Sequence, residues 1–225
     1  LATIPALGRE ETEAAINHAE SVRHEWAKTP NATRAGLLEK WYQLIIDNAD
    51  DLAIIMTAEQ GKPLAEAKGE VLYGASFVKW FAEEARRIYG DTIPAPTSDR
   101  RIIVLKQPVG VAAAITPWNF PIAMITRKVA PALAAGCPII VKPSDLTPLS
   151  ALALAVLAER AGFPSGVLQV VTGMPTEIGA ALTESRLVRK ISFTGSTRVG
   201  QLLMKQCADS IKRLSLELGG NAPLI

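Results

Sequence analysis

The chain has 225 residues, 48% of them hydrophobic and 20% charged, which is an ordinary composition for a globular protein with a sizeable core. Its 24 basic and 22 acidic residues leave a net charge of +2, with no sustained run of one sign. This balance argues against nucleic-acid and anionic-membrane partners and favours a small-molecule ligand.

The cysteine content and the hydropathy predict a cytoplasmic protein. Only Cys137 and Cys207 are present, which is too few for a disulfide framework and fits a reducing compartment. No stretch has the length and apolar character of a membrane span, and the first residues lack the pattern of a signal peptide. Because the chain begins with Leu1 and stops at Ile225 just after a glycine pair, we expect a portion of a longer protein.

Three amphipathic helices are predicted to form an N-terminal layer, because apolar residues recur at helical spacing through most of the first 89 residues. They cover residues 10–28, 33–60 and 64–89. Thr33 is the expected N-cap of the second helix, a break is expected near residue 48, and Gly61 with Pro63 ends that helix.

In the third helix, the order of apolar and charged residues predicts which face packs inside. The charged residues expected at the solvent face are Glu66, Lys68 and Glu70. The residues expected inside are Val71, Leu72, Phe77, Trp80 and Phe81. We also expect glycines of this helix to mark close packing against a neighbour.

A connector and an isolated apolar strand follow. Residues 91–101 are rich in proline and polar residues and are predicted to be a connector, while residues 101–106 are predicted to be a strand flanked by charge. An apolar strand on an extended segment is an exposed edge unless it pairs with another strand. Oligomerisation is one way to cover it.

The central unit, residues 108–145, is predicted to run strand, loop, helix, strand. The two strands are residues 109–115 and 139–141, and apolar residues at helical spacing predict the helix between Pro121 and Gly136. This is a βαβ unit of a parallel sheet, so ligands are expected beyond the carboxyl ends of its strands.

The loop after the first of these strands is predicted to be rigid, because Pro117 and Pro121 fix their own φ and restrict the residue before each of them. Asn119 lies between them, so its side-chain amide is expected to be held in place. The next strand ends near Lys142, and the segment from there to Asp145 is expected to face the same crevice.

The remainder of the chain alternates helices and strands. The predicted helices are residues 148–162, with Thr147 as N-cap, 176–184 and 197–208. The predicted strands are residues 167–171, 188–193 and 214–218. Strands separated by helices predict an α/β fold with a doubly wound parallel sheet behind the N-terminal helical layer.

Several residues at strand ends can carry chemistry, and each also has a plain structural interpretation. Gly195 and Ser196 open a helix whose N–H groups can receive a phosphate, although such turns often serve only as caps and the G-x-G-x-x-G pattern is absent. Asn119 can donate to an oxyanion or be an ordinary turn residue. Lys142 can bind a ribose or phosphate or simply be solvated.

Glu217 lies in an apolar strand next to two glycines, where a carboxylate with a raised pKa would act as a general base. The alternative interpretation is that Glu217 simply faces outward, in a strand whose residues alternate between the two faces. Arg127 and Lys128 are most simply the solvent face of a helix. His18 and His24 have no cysteine or acidic cluster at ligand spacing, so no metal site is predicted.

Four segments in this order resemble the aldehyde dehydrogenase superfamily. They are ITPWNFP at residues 115–121, AAGCPIIVKPSDLTP at 134–148, ISFTGST at 191–197 and LELGGNAP at 216–223. Each segment is weak alone, and the ordered set is highly specific. Within the superfamily, residues 59–71, 81–94 and 123–137 look most like the succinate-semialdehyde dehydrogenases, and the similarity covers nearly the whole chain.

The resemblance implies a role for each matching residue. Asn119 would donate its side-chain amide to the oxyanion of a thiohemiacetal. Glu217 would be the general base that activates the nucleophilic thiol or the deacylating water. Arg127 would face the substrate and pair with its distal carboxylate. The residues implied to line the dinucleotide are Trp118, Lys142, Asp145, Gly195, Ser196 and Leu218.

The resemblance also implies a Rossmann-like sheet with NAD or NADP as the cofactor. Asp145 stands where NADP-preferring relatives carry a small or hydroxyl residue, so its carboxylate favours NAD over the 2′-phosphate of NADP. The implied domains are the N-terminal helices of the cofactor-binding domain over residues 1–89, part of a β-hairpin oligomerisation arm over 90–108, and the Rossmann-like NAD(P)-binding domain over 109–225.

The catalytic cysteine of the family lies beyond the ELGG motif and therefore beyond Ile225, and neither Cys137 nor Cys207 is at a matching position. Both are expected to be packing residues. Without a thiol nucleophile, the 225 residues alone are expected to be inactive, and the C-terminal catalytic domain is expected outside this sequence.

The sequence therefore predicts the cofactor-binding portion of an NAD(P)-dependent aldehyde dehydrogenase that oxidises succinate semialdehyde to succinate. Its expected partners are the small aldehyde and further copies of itself in a homodimer or homotetramer. One alternative is a relative that acts on glutarate semialdehyde or another ω-carboxy aldehyde. An alternative of another class is a non-catalytic nucleotide-binding or oligomerisation protein.

Overall fold

The computed structural model describes residues 1–221. The helices are α1 (Arg9–Lys28), α2 (Asn31–Asp47), α3 (Ala49–Gln60), α4 (Leu64–Ala85), α5 (Ala123–Ala134), α6 (Pro148–Ala161), α7 (Pro175–Glu184) and α8 (Thr197–Cys207). The strands are β1 (Asp91–Ile93), β2 (Ile102–Val104), β3 (Val111–Ile115), β4 (Ile139–Lys142), β5 (Leu168–Val170), β6 (Val188–Thr194) and β7 (Arg213–Glu217). The last two residues of LELGGNAP, and the end of the predicted 109–225 domain, lie outside the described residues. Within residues 1–221, no helix combines the length and the hydropathy needed to cross a membrane.

Five strands form one parallel sheet in the order β5-β4-β3-β6-β7. Ile115, at the carboxyl end of the central strand β3, is level with Lys142 of β4 and Phe193 of β6. Thr194 is level with Glu217 of β7. The chain first builds outward from β3 to β5 and then returns to place β6 on the other side of β3. The predicted doubly wound sheet is therefore confirmed, and its topological switch point lies between β3 and β6.

Helices cover both faces of the sheet, because successive side chains of a strand point to opposite sides. Ala112 and Ala114 of β3 pack among helices α2 to α6, in the core cluster that contains Trp41. Val111 and Ala113 pack on the other face, against α1 and α7. A sheet that is buried on both faces needs apolar residues at nearly every strand position, as β3 and β4 have.

The packing of α4 against α5 fixes the helix that follows the central loop. A Cβ at Gly74 would lie 2.7 Å from Cγ2 of Ile122, so the close approach requires glycine, as predicted. Gly69 has open space around it. At the other end of α5, buried Arg34 donates a 3.0 Å hydrogen bond to the Ala134 carbonyl, where the helix dipole favours a cation.

The N-terminal helices are present with two differences from the prediction. α2 begins at Asn31, so Thr33 is not its N-cap, because the Pro30 carbonyl already accepts the N–H groups of Thr33 and Arg34. The break predicted near residue 48 is confirmed between α2 and α3. The third predicted helix, α4, ends at Ala85 rather than at residue 89.

The predicted faces of α4 are wrong at three positions. Glu70 is buried, whereas Leu72 and Trp80 are 46% and 59% exposed. The interface of α4 depends on small residues, which let neighbouring helices approach closely, and the larger side chains are left outside. The buried positions are Ala67, Glu70, Val71, Gly74, Ala75, Val78, Ala82 and Ala85.

β1 and β2 form a separate antiparallel hairpin whose strand residues are all exposed. Asp91 pairs with Val104, so the prediction that residues 91–101 are only a connector is wrong at the first three positions. The strand predicted within residues 101–106 is confirmed. Ile103 is 66% exposed, so the hairpin presents apolar surface, and its role in oligomerisation stays a prediction.

Candidate active site

The candidate active site lies at the carboxyl edge of the parallel sheet, where β3, β4, β6 and β7 end side by side. The Thr116 N–H donates to the Lys142 carbonyl at 3.1 Å, and the Gly195 N–H donates to the Glu217 carbonyl at 3.0 Å. From β4 to β7 the edge spans three strand spacings, about 15 Å. Both predicted loops therefore start at one edge, together with the ends of β6 and β7.

Asn119 lies in the loop between β3 and α5, and its side chain is exposed. Its Oδ1 accepts a 3.1 Å hydrogen bond from the Phe120 N–H, and its backbone carbonyl accepts a 3.1 Å hydrogen bond from Nζ of Lys62. Among residues 1–221, Nδ2 makes no hydrogen bond. The amide is thus oriented by its oxygen and keeps its donor available, which is what an oxyanion site requires. Trp118 beside it is 51% exposed.

A buried ion pair from a different part of the chain holds this loop. Nζ of Lys62 contacts Oε2 of Glu70, and the two side chains are only 9% and 1% exposed. Oε1 of Glu70 accepts hydrogen bonds from the N–H groups of Ile122, at 2.9 Å, and Ala123, at 3.2 Å. Glu70 therefore caps α5, where the helix dipole favours an anion.

Lys142 and Asp145 form an ion pair at the end of β4. Nζ of Lys142 is buried, lies 2.5 Å from Oδ1 of Asp145 and donates to the Pro143 carbonyl at 3.0 Å. The Asp145 side chain is half-exposed. The structure thus brings these two candidate cofactor residues into contact with each other and leaves the carboxylate accessible.

The helix after this segment, α6, is capped from α3. Glu59 accepts hydrogen bonds from the N–H groups of Leu149, at 2.7 Å, and Ser150, at 2.9 Å. Thr147 occupies the predicted N-cap position, but its side chain makes no capping hydrogen bond, because Glu59 already accepts the N–H groups there. The Oγ1 of Thr147 is buried and has no hydrogen-bond partner within residues 1–221.

The turn from β6 into α8 contains Gly195 and Ser196. A Cβ at Gly195 would lie 2.5 Å from Cζ of Phe193, so a larger residue there would require the Phe193 ring to move. The Ser196 Oγ accepts a hydrogen bond from the Val199 N–H and caps α8, which confirms the plain interpretation of this residue. A dinucleotide role for either residue stays a prediction. Leu218 lies close to α8, where a Cβ at Gly200 would be 2.6 Å from its Cδ2.

Glu217, at the end of β7, is surrounded by one hydroxyl and two cations. Thr194 donates a 2.8 Å hydrogen bond to its Oε2, Lys128 Nζ lies 3.7 Å from Oε2, and Arg127 Nη1 lies 3.7 Å from Oε1. Partial burial alone raises the pKa of this carboxyl, but Thr194, Lys128 and Arg127 together outweigh it and lower the pKa. The expectation of a raised pKa is therefore wrong.

The two cations come from α5 and are not both on a solvent face. Lys128 is buried, contrary to prediction, and burial lowers its pKa, while the charge of Glu217 acts in the opposite direction. Arg127 is partly exposed, and its guanidinium lies 5.1 Å from the centre of the Phe77 ring. The helix thereby delivers one buried and one accessible positive charge to the same carboxylate.

Both cysteines are free and buried, which confirms that they are packing residues. Cys137 precedes β4 and Cys207 ends α8, so both lie toward the amino edge of the sheet. Burial raises the pKa of each thiol. Within the part of the chain that is described, no thiol stands at the candidate active site.

Sequence reasoning missed four residues that the structure brings to this site: Lys62, Glu70, Lys128 and Thr194. Only Glu70 had a usable signal, since it follows Ala67 and precedes Gly74 at helical spacing on a face of small residues. The others act through contacts between residues far apart in sequence.

A doubly wound parallel sheet with a helix N-terminus, a lysine and an exposed tryptophan at its carboxyl edge is typical of α/β domains that bind a ligand at their topological switch point. The buried Oγ1 of Thr116, which lacks a partner among residues 1–221, adds a polar atom at this edge. The sequence profile described as the aldehyde dehydrogenase family matches residues 1–225. The chain belongs to the aldehyde dehydrogenase family.

Curated relatives match the whole chain and extend well beyond it. The chain is 61% identical to a 3-sulfolactaldehyde dehydrogenase of Pseudomonas putida, over 100% of the chain and 46% of the relative. It is 60% identical to a glutarate-semialdehyde dehydrogenase of Pseudomonas putida KT2440 and to the NADP(+) succinate-semialdehyde dehydrogenase of Escherichia coli K12, each over 100% of the chain and 47% of the relative. The chain thus spans about half the length of the curated relatives it matches.

Solved structures agree with this assignment. A succinate-semialdehyde dehydrogenase from Burkholderia pseudomallei superposes with a TM-score of 0.98 at 60% identity, over 99% of this chain and 46% of that one. A betaine aldehyde dehydrogenase from Staphylococcus aureus, solved in complex with NAD+, superposes with a TM-score of 0.95 at 32% identity, over 97% of this chain and 44% of that one. The fold described above is therefore that of the family.

Proposed function

We propose that the chain is the NAD(P)-binding half of a dehydrogenase that oxidises a semialdehyde with a distal acidic group, with succinate semialdehyde as the favoured substrate. The observation that carries the proposal is the pairing of Arg127 with Glu217 at 3.7 Å. It places a partly exposed cation, suited to a carboxylate substrate, beside a candidate general base.

In this proposal the nucleophile is a cysteine outside residues 1–225. Its thiolate adds to the aldehyde carbon, and the carbonyl oxygen becomes an oxyanion that Nδ2 of Asn119 stabilises by a hydrogen bond. When bound, the dinucleotide would accept the hydride that leaves this carbon, and the carbon is then part of a thioester with the cysteine. Loss of one oxyanion donor typically lowers the rate by about 10²–10³-fold, which is the contribution assigned to Asn119.

Glu217 acts as the general base on the thiol or on the water that attacks the thioester. The water adds to the thioester carbon, its proton goes to Glu217, and the carbon–sulfur bond breaks to release the acid and regenerate the cysteine thiolate. Thr194 and Lys128 orient the carboxylate, and its lowered pKa keeps it ionised at neutral pH.

The residues proposed to hold the dinucleotide follow the ends of β3, β4, β6 and β7. Ser196 and the N-terminus of α8 suit the pyrophosphate, and Lys142 suits the adenosine ribose. Asp145 repels a 2′-phosphate, so we favour NAD, although one relative at 60% identity is named for NADP(+). The other residues in this set are Trp118, Gly195 and Leu218.

The proposed organisation follows the packing. Helices α2 to α4 share one core with β3 and β4, which supports joining residues 1–89 and 109–225 in one nucleotide-binding domain. The exposed hairpin within residues 90–108 is proposed as the oligomerisation arm of a cytoplasmic homodimer or homotetramer.

A substrate panel tests the proposed activity. The complete protein that contains this chain is assayed for cofactor reduction with succinate semialdehyde, glutarate semialdehyde, 3-sulfolactaldehyde and an uncharged aldehyde of similar length. We expect the highest kcat/KM with succinate semialdehyde. A higher kcat/KM with glutarate semialdehyde or 3-sulfolactaldehyde would make that aldehyde the preferred substrate instead. A preference for the uncharged aldehyde would overturn the role of Arg127.

A further inference from the structure

Lys62 and Glu70 form a buried ion pair outside the catalytic set. Among residues 1–221, it is the one ion pair in which both side chains are under 10% exposed. Such pairs are costly to bury unless the remaining donors and acceptors are also satisfied. In the part of the chain that the structure describes, the remaining hydrogen-bond partners of the pair all lie in the short segment from Asn119 to Ala123.

Lys62 contacts the start of that segment. Its Nζ donates to the backbone carbonyl of Asn119 at 3.1 Å and lies 4.1 Å from the centre of the Phe120 ring, in cation–π geometry. The Phe120 N–H in turn donates to Oδ1 of Asn119. The ammonium group therefore fixes the residue whose N–H orients the Asn119 amide.

Glu70 contacts the end of the segment. One carboxylate oxygen binds Lys62, and the other accepts the N–H groups of Ile122 and Ala123. The pair thus links both sides of the loop to α4, and Gly74 lets α4 and α5 approach closely one turn further on.

We propose that Lys62 and Glu70 are positioning residues that set the direction of the Asn119 amide. This inference rests on the proposed function, in which Asn119 stabilises an oxyanion. An error of about 1 Å in the position of a catalytic group can cost about 10²-fold in rate. Two prolines stiffen the loop, but only contacts to the rest of the fold define where its amide points.

The variant Lys62→Met/Glu70→Gln in the complete protein tests the proposal. It removes both charges together, so no uncompensated buried charge is left, and the glutamine oxygen can still cap α5. Arg34→Met is the matched control, because Arg34 is also a buried charged residue and caps the opposite end of α5 without touching the loop. The Asn119→Ala variant removes the amide itself, so it gives the largest effect that loss of positioning can have.

The first readout is hydrogen exchange of the Phe120 amide, which donates to Asn119 Oδ1. We expect exchange several-fold faster in Lys62→Met/Glu70→Gln, approaching the rate in Asn119→Ala, and unchanged in Arg34→Met. A wild-type exchange rate in the double variant would overturn the proposal, whether or not the protein is active.

The second readout is a double-mutant cycle on kcat. In the wild-type background, we expect the two substitutions to lower kcat about tenfold or more and to change KM for the cofactor by less than about twofold. In the Asn119→Ala background, we expect the same substitutions to lower kcat by less than about twofold. Equal decreases in kcat in both backgrounds would overturn the proposal that the pair positions Asn119, and would mean that the pair has only a structural role. A complete protein that oxidises no semialdehyde would overturn the proposed function instead, and the exchange rate of Phe120 would still decide the positioning claim.

Discussion

The buried ammonium of Lys128 lies 3.7 Å from Oε2 of Glu217, a residue far away in the sequence. Helix α5 brings it there, and its charge contributes to the lowered pKa of the carboxyl. The candidate general base is therefore tuned by a helix that belongs to a different βαβ unit.

Lys128→Met in the complete protein is expected to raise the pKa of Glu217, because the carboxylate loses a nearby cation while its partial burial remains. Since a general base works only when deprotonated, the acidic limb of the kcat/KM profile should move to higher pH. The measurement is the pH dependence of kcat/KM, with the exposed Lys79→Met as control. An unchanged acidic limb would show that Lys128 does not act on the base.

The lowered pKa of Glu217 also fixes the sign of its effect on stability. The stabilisation is fully present above the ordinary glutamate pKa and is lost as pH falls through the lowered pKa. Glu217→Gln should therefore destabilise the protein at neutral pH, and the difference from wild type should disappear in acid. Urea midpoints at several pH values measure this, and a difference that grows toward acid would contradict it.

Arg127→Ala is expected to raise KM for succinate semialdehyde about tenfold or more, because a charge-assisted hydrogen bond to the substrate carboxylate is lost. KM for butanal, which has no carboxylate, should change little. KM should be measured at a pH well above the pKa of Glu217, because Arg127 also interacts with that carboxylate. Equal increases in KM for the two aldehydes would show that Arg127 does not bind the substrate carboxylate and has only a structural role.

Asp145→Ser is expected to shift the cofactor preference toward NADP by about fivefold or more in kcat/KM, since a unit charge pair about 4 Å apart is worth about 1 kcal/mol even in water. Asp209→Ser, at the amino edge of the sheet, is the control and should leave the ratio unchanged. A wild-type protein that already prefers NADP would contradict the favoured choice of NAD.

Glu59→Ala is expected to destabilise the protein by about 1–3 kcal/mol, because the N–H groups of Leu149 and Ser150 lose their acceptor. Glu83→Ala is the control, since among residues 1–221 the Glu83 side chain makes only a surface ion pair with Lys79, worth less than about 1 kcal/mol. Urea denaturation compares the two variants. Equal shifts would mean that Glu59 does not cap α6.

Much of the fold could be predicted because periodicity is a local property. The apolar runs of β3 and β4, with a helix between them, define a parallel unit, and that unit alone places Asn119 and Lys142 at one edge. The turn at Gly195 and the strand ending at Glu217 extend the same argument. The side-chain environments were less predictable, because they depend on contacts between distant segments.

Glu70 shows why the faces of α4 were misjudged. Large aromatic residues suggested the buried face, but close helix packing selected the small residues and buried a carboxylate among them. The pKa of Glu217 was misjudged for a related reason, since its neighbouring glycines gave no sign of the two cations on α5.

The central claim, that this edge is the active site of an aldehyde dehydrogenase, is tested most directly by kcat for succinate semialdehyde in the complete protein and its Asn119→Ala variant. We predict a kcat lower by about 10²–10³-fold in the variant, with cofactor binding unchanged. Equal kcat values would contradict the account, because the amide that the fold holds with its donor available would then play no part in the reaction.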